Sequence, residues 1–230
     1  MNFFDSLISD TQQLLSPYPK KSYPFDTGNK WNDIGRNELV LQRESAFELN
    51  GTGFNLVTSN PIGEDETFVI GDDLNCISGD RAFARISIIR MDDVEDEQKA
   101  YDLIKKIEYV KYHYFPKGYM LRTSSRSHKE IVRVSKSAVA GGISFEKIGN
   151  LLIDKFKENK SVKNVRVIFV TERTADYQRL ETLARKNRDI TETLNHIMNS
   201  VNFDCSTCNL KPICDEVEGM KELHFKKAMG

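Results

Sequence analysis

An excess of either charge is missing from this sequence. Lys and Arg number 33 against 34 Asp and Glu, a formal net charge of -1. The two signs alternate along most segments, which argues against a general nucleic-acid binder, since such proteins carry a net basic domain or a concentrated basic stripe. Long apolar runs are absent as well, and nothing approaches membrane-spanning length. The N-terminal stretch "MNFFDSLISDTQQLL" has no basic start and puts Asp5 and Asp10 inside what would be the apolar region of a secretion signal, so it does not read as one. Cysteine is scarce: four in 230 residues, with Cys76 alone and Cys205, Cys208 and Cys214 grouped near the end. That is a poor disulfide framework for a chain of this size, and without a secretion signal a reducing, cytoplasmic setting is expected. The cysteines then read as ligands or thiols.

What is present is an ordinary globular composition, 39% hydrophobic and 29% charged, enough apolar surface to offset the entropy of folding. "NFFDSLISDTQQLL" puts Leu7, Ile8, Leu14 and Leu15 near one helical face and predicts a short amphipathic helix that docks on a core. "SPYPKKSYPFDTGNKWND" holds three of the six prolines and reads as an irregular connector. "ELVLQR", "AFELNGTGFNLV" and "ETFVIG" look like short strands, with "NGTG" as a hairpin turn, and "FARISIIRM" is a stronger strand. From Asp96 to about Tyr114, Ala100, Leu103, Ile104, Ile107 and Val110 fall at helical spacing, and the acidic "DDVEDE" before them suits a solvated helix start. After it, "GYMLRT" and "EIVRVSK" read as strands, "SFEKIGNLLIDKFKEN" as a helix, "VKNVRVIFVT" as a buried strand, and "RTADYQRLETLARKNRD" with "TETLNHIMNSV" as one or two helices. This alternation predicts an α/β fold, a mixed sheet flanked by helices, with a short-strand region toward the N-terminus and a cysteine-containing helical segment at the C-terminus.

The stretch "NFDCSTCNLKPICDEVEG" carries the clearest chemistry. A Cys-x-x-Cys pair lets two thiolates converge on one metal, and a third cysteine just past Pro212 closes a three-point face of Cys205, Cys208 and Cys214. Structural zinc wants a fourth ligand, for which His224 is the nearest candidate. A thioredoxin-type redox pair is disfavoured, because a helical segment rather than a strand precedes the motif. An iron–sulfur cluster accepts closely spaced cysteines and can take its fourth ligand from elsewhere or leave that iron open. Spacing alone leaves zinc and iron–sulfur level, with three reduced thiols in a loop as the bland alternative.

A second candidate is "MLRTSSRSHK", which brings Arg122, Arg126, His128 and Lys129 together with serines between two strands. Such a loop can hold phosphate or coenzyme A through charge-assisted hydrogen bonds, although a solvated hairpin loop is the plainer reading. In "AGGIS", Ser144 is a plausible helix cap and the glycines make a turn; no Gly-Lys-Ser/Thr follows, so this is not a P-loop. His113, beside Tyr112 and Tyr114, reads as a packing residue on a helix.

The order of these segments resembles the beta subunit of the CO dehydrogenase/acetyl-CoA synthase complex, the acetyl-CoA synthase itself. The resemblance runs from about Gly71 to Cys214, is most specific at "RVSKSAVAGGISFEKIGNLLI" and "VKNVRVIFVTER", and fades before Asp65. It implies an N-terminal helix and irregular arm over 1–36, an α/β domain like the family's N-terminal domain over 37–171, and a helical segment with the cysteines over 172–230. By the resemblance, Cys205, Cys208 and Cys214 match the first three cysteines of the family's [4Fe–4S] unit, which tilts the balance from zinc to iron–sulfur. The gap between the second and third is shorter than the family's, the fourth cluster cysteine has no counterpart, and the later Cys-Gly-Cys that binds the distal nickel is absent. With four cysteines in all, the chain cannot assemble that nickel site alone. The resemblance therefore implies a shortened relative in anaerobic one-carbon or corrinoid metabolism, an accessory or electron-transfer protein partnering CO dehydrogenase or corrinoid-protein subunits and compatible with a homo-oligomer. A subunit of a split acetyl-CoA synthase and a zinc-stabilised interaction module are the alternatives. Whether it is an enzyme is left open.

Overall fold

The computed structural model describes residues 2–124 and 128–198, together with Ile213 and Val217. Its centre is a seven-stranded mixed sheet in the order β1-β3-β7-β4-β2-β6-β5. The strands are β1 (Lys20–Pro24), β2 (Ser45–Thr58), β3 (Glu66–Ile70), β4 (Arg81–Met91), β5 (Tyr119–Thr123), β6 (Lys129–Ser135) and β7 (Val162–Val170). β3 runs parallel to β7 and β2 parallel to β4, while the remaining neighbours are antiparallel. The α-helices over residues 2–198, as far as these are described, are α1 (Asp5–Leu15), α2 (Glu97–Tyr109), α3 (Lys136–Ala140), α4 (Phe145–Lys157) and α5 (Tyr177–Met198).

Helices flank both faces because the central strands are apolar on both. Ile168 and Phe169, successive residues of β7, point to opposite sides. Phe169 stacks on Phe145 at the start of α4, with ring centroids 4.5 Å apart. Ile168 instead shares a cleft with Leu15 of α1. Helix α4 lies against β3 and β7, α5 against β2 and β4, and α1 and α2 each against α5 and β2. Ile213 packs on the core and Val217 is wholly buried in it.

Local chemistry sets the helix starts. The Asp96 carboxylate accepts the Lys99 backbone N–H at 2.7 Å and caps α2, and Ser144 Oγ accepts that of Lys147 at 3.2 Å and caps α4. The buried Asp73 carboxylate also accepts the Phe145 N–H at 2.7 Å. Helix α2 tightens into a 3-10 turn over Val110–Tyr112, so His113 lies beyond it, exposed, with Nδ1 2.7 Å from the Tyr109 carbonyl. The C-terminal helical pattern forms one helix of 22 residues.

Three expected features differ. "NGTG" is not a turn: Asn50–Gly53 lie inside the 14-residue strand β2. The glycines are there for space, since a Cβ on Gly51 would overlap the Phe83 carbonyl and one on Gly53 would overlap the Glu130 carboxylate. "ELVLQR" is not a strand. Only Val40 is buried there, Leu39 is 68% exposed, and the segment attaches to the β5 region by side chains, with Glu38 accepting the Gly118 N–H and Asn37 donating to the Leu121 carbonyl. The expected connector after α1 contains an edge strand, β1, in which Pro24 is tolerated because that edge has no further neighbour.

Gly53→Ala should lower unfolding stability by about 3 kcal/mol or more, because the methyl group must displace a buried carboxylate from its partner. Urea denaturation checks this, and a loss below about 1 kcal/mol would show that the strand relaxes around the methyl.

Candidate functional site

A charged residue in the middle of an apolar strand demands a partner, and "FARISII" contains one. Arg85 and Glu130 are each 1% exposed. Arg85 Nε donates to the two Glu130 carboxylate oxygens at 2.9 and 3.2 Å, and Nη1 donates to Asn55 Oδ1 at 3.0 Å and Ser87 Oγ at 2.8 Å. The Glu130 carboxylate holds the guanidinium pKa above its ordinary value despite burial. Asn55 passes the network on: its Nδ2 donates to Glu108 Oε1 at 3.0 Å, and Glu108 Oε2 pairs with Lys111 Nζ at 2.8 Å. Asn187 of α5 donates to the Asn55 carbonyl at 2.7 Å. Tyr114 and Tyr119 are buried nearby with hydroxyls that have no partner among the described residues, and burial raises both pKa values.

This buried chain ends at a cleft of about 350 Å³ between α2 and α5, walled by Tyr101, Lys105, Tyr109, Lys111, His128 and Arg188 among others. His128 is 6% exposed, and among the described residues neither of its ring nitrogens has a hydrogen-bond partner. Its φ of 47° lies in the left-handed region, which costs a non-glycine residue energy. The strained backbone is locked from two sides, its carbonyl accepting the Gly53 N–H and the Thr52 hydroxyl, both at 3.0 Å. Burial, helped by the Lys111 charge and opposed by Glu108, lowers the His128 pKa to about 4. The imidazole is therefore neutral at physiological pH, with one donor and one acceptor nitrogen.

Among the described residues of the basic loop, His128 is buried while Arg122 and Lys129 are exposed. The register puts Arg122 opposite Ile131, on the same side of the sheet as Lys129. Lys129 borders a different cavity, with Asn50, Thr52 and Tyr177, from the one His128 lines. Arg126 lies outside the described residues, as do Cys205, Cys208, Cys214 and His224. Cys76 is exposed beside Asn75. Among the described residues no three His, Cys, Asp or Glu side chains gather as a metal site, and no helix is long and apolar enough to cross a membrane. Sequence reasoning missed Arg85, Glu130, Asn55 and Glu108, although the lone arginine in "FARISII" was a usable signal.

A family model, CO dehydrogenase/acetyl-CoA synthase complex beta subunit, matches residues 33–175, more than half of the chain. The chain belongs to that family. No curated protein matches it. The span of this acetyl-CoA synthase relative that carries the family pattern begins well before Gly71 and ends at Ala175, ahead of the cysteines. It takes in β2 to β7 and, with them, Arg85, Glu130, Glu108 and His128, so most of the buried network and one wall of the cleft belong to the family portion, while Asn187 of the network and Arg188 on the other wall lie beyond it. The family name is that of a subunit in a larger complex.

His128 yields a pH prediction. Its folded pKa of about 4 lies below the ordinary 6.5, so between those values the unfolded chain binds more protons at this site. Stability is full above pH 6.5 and falls as pH drops toward 4, by up to about 3 kcal/mol. His128→Asn, in which asparagine tolerates the positive φ, should lose this dependence. Denaturation of both proteins from pH 7 to 4.5 should show the wild type losing stability relative to the variant, and a constant difference would contradict the buried neutral imidazole.

Proposed function

We propose that this chain is an iron–sulfur relative of acetyl-CoA synthase that serves CO dehydrogenase or corrinoid-protein subunits as an accessory or electron-transfer partner in anaerobic, cytoplasmic one-carbon metabolism. The observation that carries the reading is the family match over 33–175, followed in the same chain by a Cys-x2-Cys-x5-Cys set. The donor chemistry fits the group: Cys205, Cys208 and Cys214 supply three soft thiolates, enough for three irons of a [4Fe–4S] cubane with the fourth open to another ligand. The cluster, when bound, supplies one-electron transfer. The neighbourhood is also suited to a fixed site, since Ile213 and Val217, which flank Cys214 in sequence, pack on the α/β core.

The chain's own composition limits its chemistry. Four cysteines, one of them the distant Cys76, leave no thiolates for a nickel site beside the cluster. Coenzyme A belongs to the same reading as a ligand of the basic turn after β5, where Arg122 and Lys129 offer exposed charge.

Anaerobically purified protein should contain close to stoichiometric iron and acid-labile sulfide with broad visible absorbance, and Cys208→Ser should lose most of both while keeping the wild-type thermal midpoint of the α/β core. Zinc without iron would end the cluster assignment, and iron unchanged in the variant would remove Cys208 from the ligand set.

A further inference from the structure

The cleft between α2 and α5 is not used by the cysteine chemistry, and its walls are specific about what they accept. At about 350 Å³ it is in the size range of small-molecule sites. Its floor includes His128, 94% buried, with neither ring nitrogen engaged by any described residue and a strained backbone whose carbonyl is tied to β2. A neutral imidazole with one N–H and one lone pair matches the donor and acceptor edge of a nitrogen heterocycle. The rim carries Tyr109 and Tyr112, 50% and 38% exposed, whose rings offer stacking faces to a planar ligand.

The charge in the cleft is uneven. Three cations, Lys105, Lys111 and Arg188, face two carboxylates, Glu108 and Glu192. Lys111 is held by Glu108 at 2.8 Å, and Arg188 by Asp189 at 2.7 Å. Lys105 is exposed, pairs with no carboxylate among the described residues, and stands 5.8 Å from the centre of the Tyr101 ring. An ammonium group left over at the mouth of an aromatic cleft suits an anionic substituent on the ligand.

We infer that this cleft binds a heteroaromatic anion of mononucleotide size, its ring edge on His128, its face on the tyrosines and its anionic group on Lys105. The site is separate from the exposed Arg122 and Lys129 and does not depend on the cysteines carrying a metal, so it stands or falls apart from the cluster proposal. Calorimetric titration of the full chain with AMP tests it, in metal-free and metal-loaded protein alike. AMP should bind, with adenosine and inorganic phosphate each at least ten-fold weaker. Lys105→Gln and His128→Asn should each weaken AMP at least ten-fold, both with wild-type circular dichroism, and the first also with a wild-type thermal midpoint. No heat of binding at millimolar AMP would overturn the inference. So would equal affinity in the two variants, or phosphate binding as tightly as AMP, which would mark an adventitious anion on a surface lysine.

Discussion

The ion pair between Arg85 and Glu130 is the constraint around which the sheet is built. Two opposite charges, each 1% exposed, sit in the interior of a seven-stranded sheet, between central strands β2, β4 and β6. Removing either partner would strand a charge in a medium that cannot solvate it. The pair in turn fixes its surroundings: Gly53 leaves room for the carboxylate, and Ser87 and Asn55 accept from Nη1 of the guanidinium. A pair of apolar residues would fill such a space with less demand on geometry, so its presence points to organisation rather than to stability alone.

What it organises is the route from the sheet centre to the α2–α5 cleft. Asn55 joins Arg85 to Glu108, Glu108 holds Lys111, and Glu130 is two residues from His128, whose carbonyl is tied to Thr52 and Gly53 of the same strand. The polar core and the cleft are thus one hydrogen-bonded unit, and residues 33–175 of the family pattern contain nearly all of it. The family portion supplies a rigid α/β body with an interior polar track, and the segment after it supplies the cysteines.

Much of the fold was legible because its signals are local. The period of α2 and α4, the Ser144 cap, and the apolar Val167–Val170 end of β7 each depend on neighbours within a turn or a strand. Where the sequence misled, a distant contact decided. Gly51 and Gly53 read as a turn, yet their absent side chains are required by Phe83 and Glu130, more than 30 residues away. "ELVLQR" alternates like a strand but finds no ladder, since Glu38 and Asn37 reach the β5 region with side chains instead. His128 read as one of four loop cations, whereas burial makes it a neutral cleft residue apart from Lys129. No local pattern carries that information.

The functional reading joins this body to three thiolates whose neighbours in sequence, Ile213 and Val217, anchor on it. Residues 33–175 of the chain carry the family pattern, and the cysteine set follows them in the sequence. Electron transfer through a cluster with one open iron fits such a chain. Mössbauer spectroscopy of anaerobically prepared, 57Fe-labelled protein addresses this most directly. The account predicts the spectrum of a [4Fe–4S] cluster in which one iron is distinguishable from the three held by cysteine, and a spectrum of mononuclear iron, or none above background, would contradict it.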